Sequence, residues 1–261
     1  MLERTLRHRE AFELANQAVA QPANDGELQL AERAMVRLSR HLGLPAQKRG
    51  KAPVPARLDL QLPREPLLAV EQLVQLHLQR LEAPVHYVEN TLICSLFGLL
   101  CWPAIFAAIP GAFFHPFQHG PADLLTADFY ARRRTLFADC LAQLEDERYR
   151  DRIRQTYRDK FGTQSPFVHW GVLSETLLEQ ALDCLPAAHL RAWFRRLLGD
   201  IQANRSGMPD LIQFWPEEKR YRMIEVKGPG DRLQDNQRRW LAFCAEHGMP
   251  VDVCYVQWAD A

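Results

Sequence analysis

Two apolar runs that fold back on each other across a short charged turn constrain this chain most. Leu211-Ile212-Gln213-Phe214-Trp215 has the β-branched and aromatic content of a strand, and Pro216-Glu217-Glu218-Lys219 reads as the turn. Tyr221-Arg222-Met223-Ile224-Glu225-Val226 returns as the partner strand. Gly228-Pro229-Gly230-Asp231 then breaks that strand, and Leu233 to His247 has helical spacing with Gly248 at its end. Val251-Asp252-Val253-Cys254-Tyr255-Val256 is a third strand. A hairpin, a crossover helix and a parallel strand make a compact α/β core.

The acids of this unit are placed for chemistry. Met208-Pro209-Asp210 opens the first strand, and Glu225-Val226-Lys227 lies on the second. Side chains i and i+2 of a strand share a face, so Glu225 and Lys227 point the same way. Asp210 and Glu225 offer hard oxygen ligands suited to Mg²⁺ or Mn²⁺, as one or two ions. The Lys227 ammonium is placed to stabilise charge on a phosphorane or to orient an attacking water. Val226 points into the core, while its carbonyl is available as a further metal ligand. The set resembles the PD-(D/E)xK arrangement of metal-dependent nucleases; surface ion pairs would account for the same residues if their spacing stood alone.

The neighbours sharpen the pattern. Gly207-Met208-Pro209-Asp210-Leu211, followed by Glu225-Val226-Lys227-Gly228-Pro229 with Asp231-Arg232-Leu233 and Gln237, resembles the VRR-NUC domain, and more narrowly the Fanconi-associated nuclease family. The resemblance extends to Val88-Glu89-Asn90, Phe97-Gly98-Leu99-Leu100, Trp102 and Arg132-Arg133-Arg134, covering roughly residues 65 to 261. It implies a restriction-endonuclease-like, mixed β-sheet core flanked by helices, of α+β or α/β class. It further implies a helix-borne glutamate ahead of the Phe-Gly-Leu-Leu stretch, which Glu89 matches, and a catalytic set of Glu89, Asp210, Glu225 and Lys227. Metal ligation falls to Glu89, Asp210, Glu225 and Val226, with Gln237 in a supporting place on the following helix and, beside Arg205 and Arg232, a candidate DNA contact. The implied activity is cleavage of DNA near a 5′ flap or 5′ end, in interstrand crosslink repair. The long insert between Glu89 and Asp210 resembles that of the Fanconi-associated branch and implies a monomer. Two other readings remain open: a VRR-type junction resolvase or general nuclease, and a catalytically silent helical scaffold.

Composition bounds the remaining possibilities. With 261 residues, 47% of them hydrophobic, the chain is long enough to bury a sizeable core. Lys plus Arg equals Asp plus Glu at 32 each, so any DNA path must be a local basic patch. Candidates are Arg132 to Arg134, Arg195-Arg196, Arg205, Arg220, Arg222, Arg232 and Arg238-Arg239, with solvated faces as the bland alternative. Arg205 is favoured because it stands five residues before Asp210 in an Asn-Arg-Ser-Gly loop, where a bidentate guanidinium suits a phosphate. The six cysteines form no C-x-x-C pair and read as buried thiols of a cytosolic protein. His115 and His119 have an i, i+4 spacing, but Pro116, Gly120 and Pro121 make their segment a loop. Thr91 to Phe114 carries no charged residue and is long enough to span a bilayer; Pro103, Pro110 and Gly111 favour two short buried helices with a break near Trp102-Pro103.

The organisation reads as bipartite. Residues 1–45 form an all-helical hairpin of tetratricopeptide type, with helices over Arg9 to Ala20 and Glu27 to Leu42 and with Ala31, Ala34 and Leu38 on one face. One such hairpin normally stacks on others, so the chain is expected to begin inside a longer array, a place for a repair-protein partner. Residues 46–65, rich in Pro and Lys/Arg, read as a linker. Residues 66–261 hold the nuclease-like domain with a helical insert at about 103–200. Further helices are expected over Leu67 to Leu81, Arg132 to Asp151 and Glu175 to Leu198. The expected partner is DNA with a 5′ flap or branch, with no membrane, in the cytoplasm or nucleoid, or the nucleus of a eukaryote.

Overall fold

A computed structural model describes residues 2–45 and 55–259. The chain divides into two compact units, Met1–Pro53 and Val54–Ala261. The first unit is a helical hairpin of α1 (His8–Ala20) and α2 (Asp25–His41). Small residues let the two helices approach, and Ala11, Ala15, Met35 and Leu38 form the seam, with Ala34 packed against it. Asn24 caps α2 by accepting from the Glu27 N–H at 2.9 Å, and the Glu27 carboxylate accepts from the Ala23 N–H at 2.6 Å. This reciprocal cap satisfies amide groups that the helix start would otherwise orphan.

The second unit is built on a five-stranded mixed sheet in the order β1-β5-β4-β3-β2, where β1 is Ala56–Leu62, β2 Val85–Tyr87, β3 Leu211–Trp215, β4 Arg220–Lys227 and β5 Val251–Trp258. β3 and β4 are the expected hairpin, joined by a single 3₁₀ turn over Pro216–Glu218 with Lys219 left-handed. β4 and β5 are parallel, and helix α12 (Asp235–Glu246) makes the crossover. Helices cover both faces of the sheet, which is why β3 reads as a continuous apolar run. On one face Leu211, Ile224, Val226, Cys254 and Val256 pack with Leu73 and Val74 of α3 (Val70–Leu78). On the other, Ile212, Phe214, Met223, Val251 and Val253 join the larger core.

That larger core belongs to helices between β2 and β3. They are α4 (Leu92–Leu100), α5 (Trp102–Ile105), α6 (Phe129–Arg132), α7 (Arg134–Ala142), α8 (Arg148–Lys160), α9 (Glu175–Cys184), α10 (Ala187–Gly199) and α11 (Ile201–Asn204). All nine residues of α4 are buried, and each large side chain contributes about 1.5–3 kcal/mol of burial. The Phe97 ring lies 4.9 Å from Phe167 and 5.6 Å from Phe194, both edge-on. Gly98 permits this closeness, because a Cβ there would meet Phe167 Cβ at 2.8 Å and Val168 Cγ2 at 2.9 Å. From Leu92 to Ile105 the uncharged stretch therefore spends its hydrophobicity inside the unit, with α4 and α5 separated at Cys101 close to the expected break, whereas Phe114 at its far end is exposed. No helix among the described residues is long and apolar enough to cross a membrane.

Several expectations are corrected. Residues 46–54 of the expected linker lie outside the described residues, but 56–62 are strand β1, hydrogen-bonded in parallel to β5. Its polar content reflects an edge position with Arg57, Asp59 and Gln61 exposed. The expected helix over Arg132 to Asp151 is interrupted after Ala142, with a left-handed Glu147 preceding α8. The helix expected over Glu175 to Leu198 is broken by Pro186, which ends α9 and caps α10.

Candidate active site

Asp210 closes the loop that precedes β3, and the hairpin register places it beside β4. Leu211 pairs with Ile224, so one further step along the antiparallel ladder brings Asp210 opposite Glu225. The Asp210 carbonyl accepts from the Val88 N–H at 2.8 Å, and its Oδ2 accepts from the Val226 N–H at 2.7 Å. The loop is held by Gly207 at φ +89°, where a Cβ would meet Asn236 backbone and side-chain carbons at 2.8 Å. Asp210 is thus fixed at both ends of its residue, by backbone donors from two different elements.

Glu225 and Lys227 point from the same face of β4, with Met223 preceding them in the core. Glu225 is fully buried and Lys227 is 7% exposed. The Lys227 Nζ stands 2.6 Å from Glu225 Oε1 as a buried ion pair, and Glu225 Oε2 has no hydrogen-bond partner. Burial pushes the Glu225 carboxyl up to about 7, reinforced by the Asp210 charge and opposed by Lys227. Burial likewise raises Asp210 to about 6, against the Val226 N–H and Lys227, with Glu71 and Glu89 adding to the rise.

Glu89 reaches this acidic centre from the turn between β2 and α4. Its place on a turn corrects the expected helical position; α4 begins three residues later. The Tyr87 hydroxyl donates to Glu89 Oε2 at 2.6 Å. Burial and the neighbouring Glu89 carboxylate hold the Tyr87 phenol above its ordinary range, so it remains a donor. Val226 is buried among the α3-facing residues as expected. Tyr87 and Glu71, at the start of α3, are members of this electrostatic cluster that sequence reading missed. The i, i+2 spacing of Tyr87 and Glu89 is a local signal by which the first of them could have been found.

Such a centre suits a divalent cation. Its donors are carboxylate oxygens, two carboxyls are destabilised chiefly by burial and further by neighbouring carboxylates, and Glu225 Oε2 is buried without a hydrogen-bond partner. Among the described residues, no three His, Cys, Asp or Glu side chains already form a ligand cluster; Lys227 occupies the side of Glu225 and balances its charge. The other expected residues divide. Arg205 and Arg232 are exposed. Gln237 is committed through its Oε1 to the Gln234 N–H at 2.9 Å, a cap on α12. Several arginines read as possible DNA contacts are structural: Arg132 and Arg133 pair with Asp123, Arg196 stacks on Trp240 and Phe243, Arg220 lies over Trp215, and Arg222 pairs with Asp252.

Known proteins resemble this chain over most of its length. A family profile described as the VRR-NUC domain matches residues 144–258. The Fanconi-associated nuclease 1 homolog of Pseudomonas aeruginosa is 64% identical over 98% of this chain, which spans 46% of that protein. The human Fanconi-associated nuclease 1 is 34% identical over 74% of this chain and 20% of its own length. The crystal structure of paFAN1 bound to 2-nucleotide 5′-flap DNA with a gap superposes with a TM-score of 0.94 at 64% identity, covering 98% of this chain and 47% of that one. The chain thus spans about half the length of its bacterial relative. It carries a VRR-NUC domain on a restriction-endonuclease-like sheet and belongs to the Fanconi-associated nuclease family.

Proposed function

We propose that this chain is the catalytic part of a metal-dependent, structure-selective DNA nuclease. It hydrolyses phosphodiester bonds near a 5′ flap or 5′ end, as endonuclease and as 5′-to-3′ exonuclease, and serves interstrand crosslink repair. The observation that carries this reading is the convergence of Asp210, Glu225 and Lys227 on one end of the hairpin, with both carboxyls raised. Asp210, Glu225, Glu89 and the Val226 carbonyl would hold one or two Mg²⁺ or Mn²⁺ ions. A bound ion supplies Lewis acidity to the phosphoryl oxygen and lowers the pKa of a bound water.

The residues themselves perform the remaining tasks. Lys227 offers a fixed positive charge, sheltered from solvent, to the oxygens that gain negative charge as the phosphorus becomes five-coordinate. The Val226 N–H holds Asp210 in one rotamer, so its free oxygen keeps a constant direction. The buried setting excludes bulk water from Glu225 and strengthens each of these interactions. Arg205 and Arg232, exposed near the site, are placed to hold phosphates, the first in the loop that leads to Asp210. The flap preference is supported by the 5′-flap DNA in the related paFAN1 structures. The chain acts as a monomer on branched DNA in the nucleoid or nucleus, and its helical hairpin offers a surface for a repair partner.

The test is cleavage of 5′-flap, 3′-flap, four-way-junction and single-stranded DNA in Mn²⁺, beside Asp210→Ala. Preferential cutting of the 5′ flap that disappears in the variant is expected. Preferential cutting of the four-way junction by a dimer would favour a resolvase instead.

A further inference from the structure

We propose that Asn90 is a positioning residue that ties the Glu89 carboxylate to the loop carrying Asp210. The inference rests on the metal-nuclease reading of the site. Asn90 Nδ2 donates to Glu89 Oε1 at 3.1 Å, and Asn90 Oδ1 accepts from the Met208 N–H at 3.0 Å. One planar amide thus spans two segments separated by more than a hundred residues of helical insert. Met208 stands two positions before Asp210, so the bridge fixes the separation between the two acids.

The backbone agrees with this role. Asn90 sits at φ +56°, in the left-handed region where Asn is among the few side chains that settle without large cost. The turn lets residue 90 aim back at the Met208 loop just before α4 begins. Tyr87 completes the arrangement from the other side, since its hydroxyl donates to Glu89 Oε2 at 2.6 Å. Both oxygens of Glu89 are therefore held by side-chain donors of neighbouring residues, a geometry that keeps a carboxylate ready for a cation without reorganisation. Loss of a group that orients a ligating carboxylate in this way typically costs about 10–100-fold in metal affinity.

Asn90→Gly separates positioning from folding, because glycine accepts the left-handed backbone and removes only the amide bridge. Calorimetric titration of the chain with Mn²⁺ alone should show the affinity of Asn90→Gly falling roughly tenfold or more. Tyr87→Phe should show a smaller loss in the same direction. With 5′-flap DNA, the Mn²⁺ concentration for half-maximal cleavage should rise in both variants while the KM for DNA stays within about twofold. A disturbed fold would instead lower the thermal midpoint and DNA affinity together. Mn²⁺ affinity equal to wild type in Asn90→Gly overturns the assignment. If the wild-type chain and Asp210→Ala take up Mn²⁺ identically, the metal site itself is refuted, and the Asn90 proposal falls with it.

Discussion

The Asp210 carboxylate lies across the start of the hairpin and accepts the Val226 backbone N–H at 2.7 Å. This bond makes an acid from a loop part of the strand that bears Glu225 and Lys227. Cleavage and binding should accordingly separate on mutation. Asp210→Ala and Lys227→Ala are each expected to lower single-turnover cleavage by at least about 10²-fold, the usual scale for losing a preorganised charge-stabilising group. DNA affinity, measured by fluorescence anisotropy, should change little, because neither side chain is exposed enough to grip a phosphate backbone. Substantial cutting by both variants would remove these residues from the catalytic role.

The buried acids make stability depend on pH in a definite direction. Asp210 rises from 3.8 to about 6 and Glu225 from 4.5 to about 7, chiefly through burial. The folded chain therefore holds protons that the unfolded chain releases between about pH 4 and 7. Stability from these groups is fully present below pH 4 and is lost as pH rises to 7. Glu225→Gln should stabilise the chain at pH 7.5 in chelator by about 1–3 kcal/mol, read as a higher thermal midpoint, and the gain should vanish near pH 4. Added Mn²⁺ should stabilise the wild type more than the variant at pH 7.5. Equal melting of both proteins across this range would contradict the placement of Glu225.

How far the sequence revealed this arrangement depends on whether the signal was local. The hairpin, crossover helix and β5 were legible because strand alternation, turn residues and helical spacing all lie within neighbouring residues. β1 was hidden by Arg57, Asp59 and Gln61, which belong on the exposed edge that only the pairing with β5 defines. β2 has three residues and is a strand only because β3 stands beside it. Asp210, Glu225 and Lys227 could be found from their spacing. Glu89 was reachable only through family resemblance, since nothing local to residues 85–91 indicates that the chain returns to it at Asp210. Glu71 is invisible for the same reason, and Tyr87 carries only its i, i+2 spacing from Glu89. The loss of Arg132 and Arg133 from the basic candidates is likewise tertiary, because their partner Asp123 is not a helical neighbour.

Gly207 fixes how the Asp210 loop approaches α12. Its φ of +89° is a glycine conformation, and an added Cβ would strike Asn236 at 2.8 Å. Gly207→Ala must therefore move either the loop or the helix start. The expected cost is about 1–3 kcal/mol of stability for the strained backbone. Because the same loop carries Asp210 and Met208, Mn²⁺ affinity should fall as well, measured by titration at a temperature where the variant remains folded. A variant with unchanged stability and unchanged ion affinity would show that the loop tolerates another path.

Arg205 and Arg133 are both basic candidates in the sequence, Arg205 the favoured one, and the fold gives them opposite fates. Arg205 is exposed in the loop before Asp210, and its backbone carbonyl faces the Cys94 thiol at 4.0 Å. Arg133 is fully buried, with two nitrogens 2.8 and 2.9 Å from the oxygens of Asp123 and its guanidinium 4.3 Å from the Phe129 ring centre. Arg205→Ala should leave the thermal midpoint in place, weaken DNA binding, and reduce the slope of log affinity against log salt by about 1. Arg133→Ala should cost about 3 kcal/mol or more, because it leaves Asp123 buried with one partner fewer, and should lower activity only by lowering the folded fraction. Thermal unfolding and DNA titration at three salt concentrations separate the two outcomes. If Arg205→Ala binds DNA with the wild-type salt slope, the phosphate path does not pass through this loop.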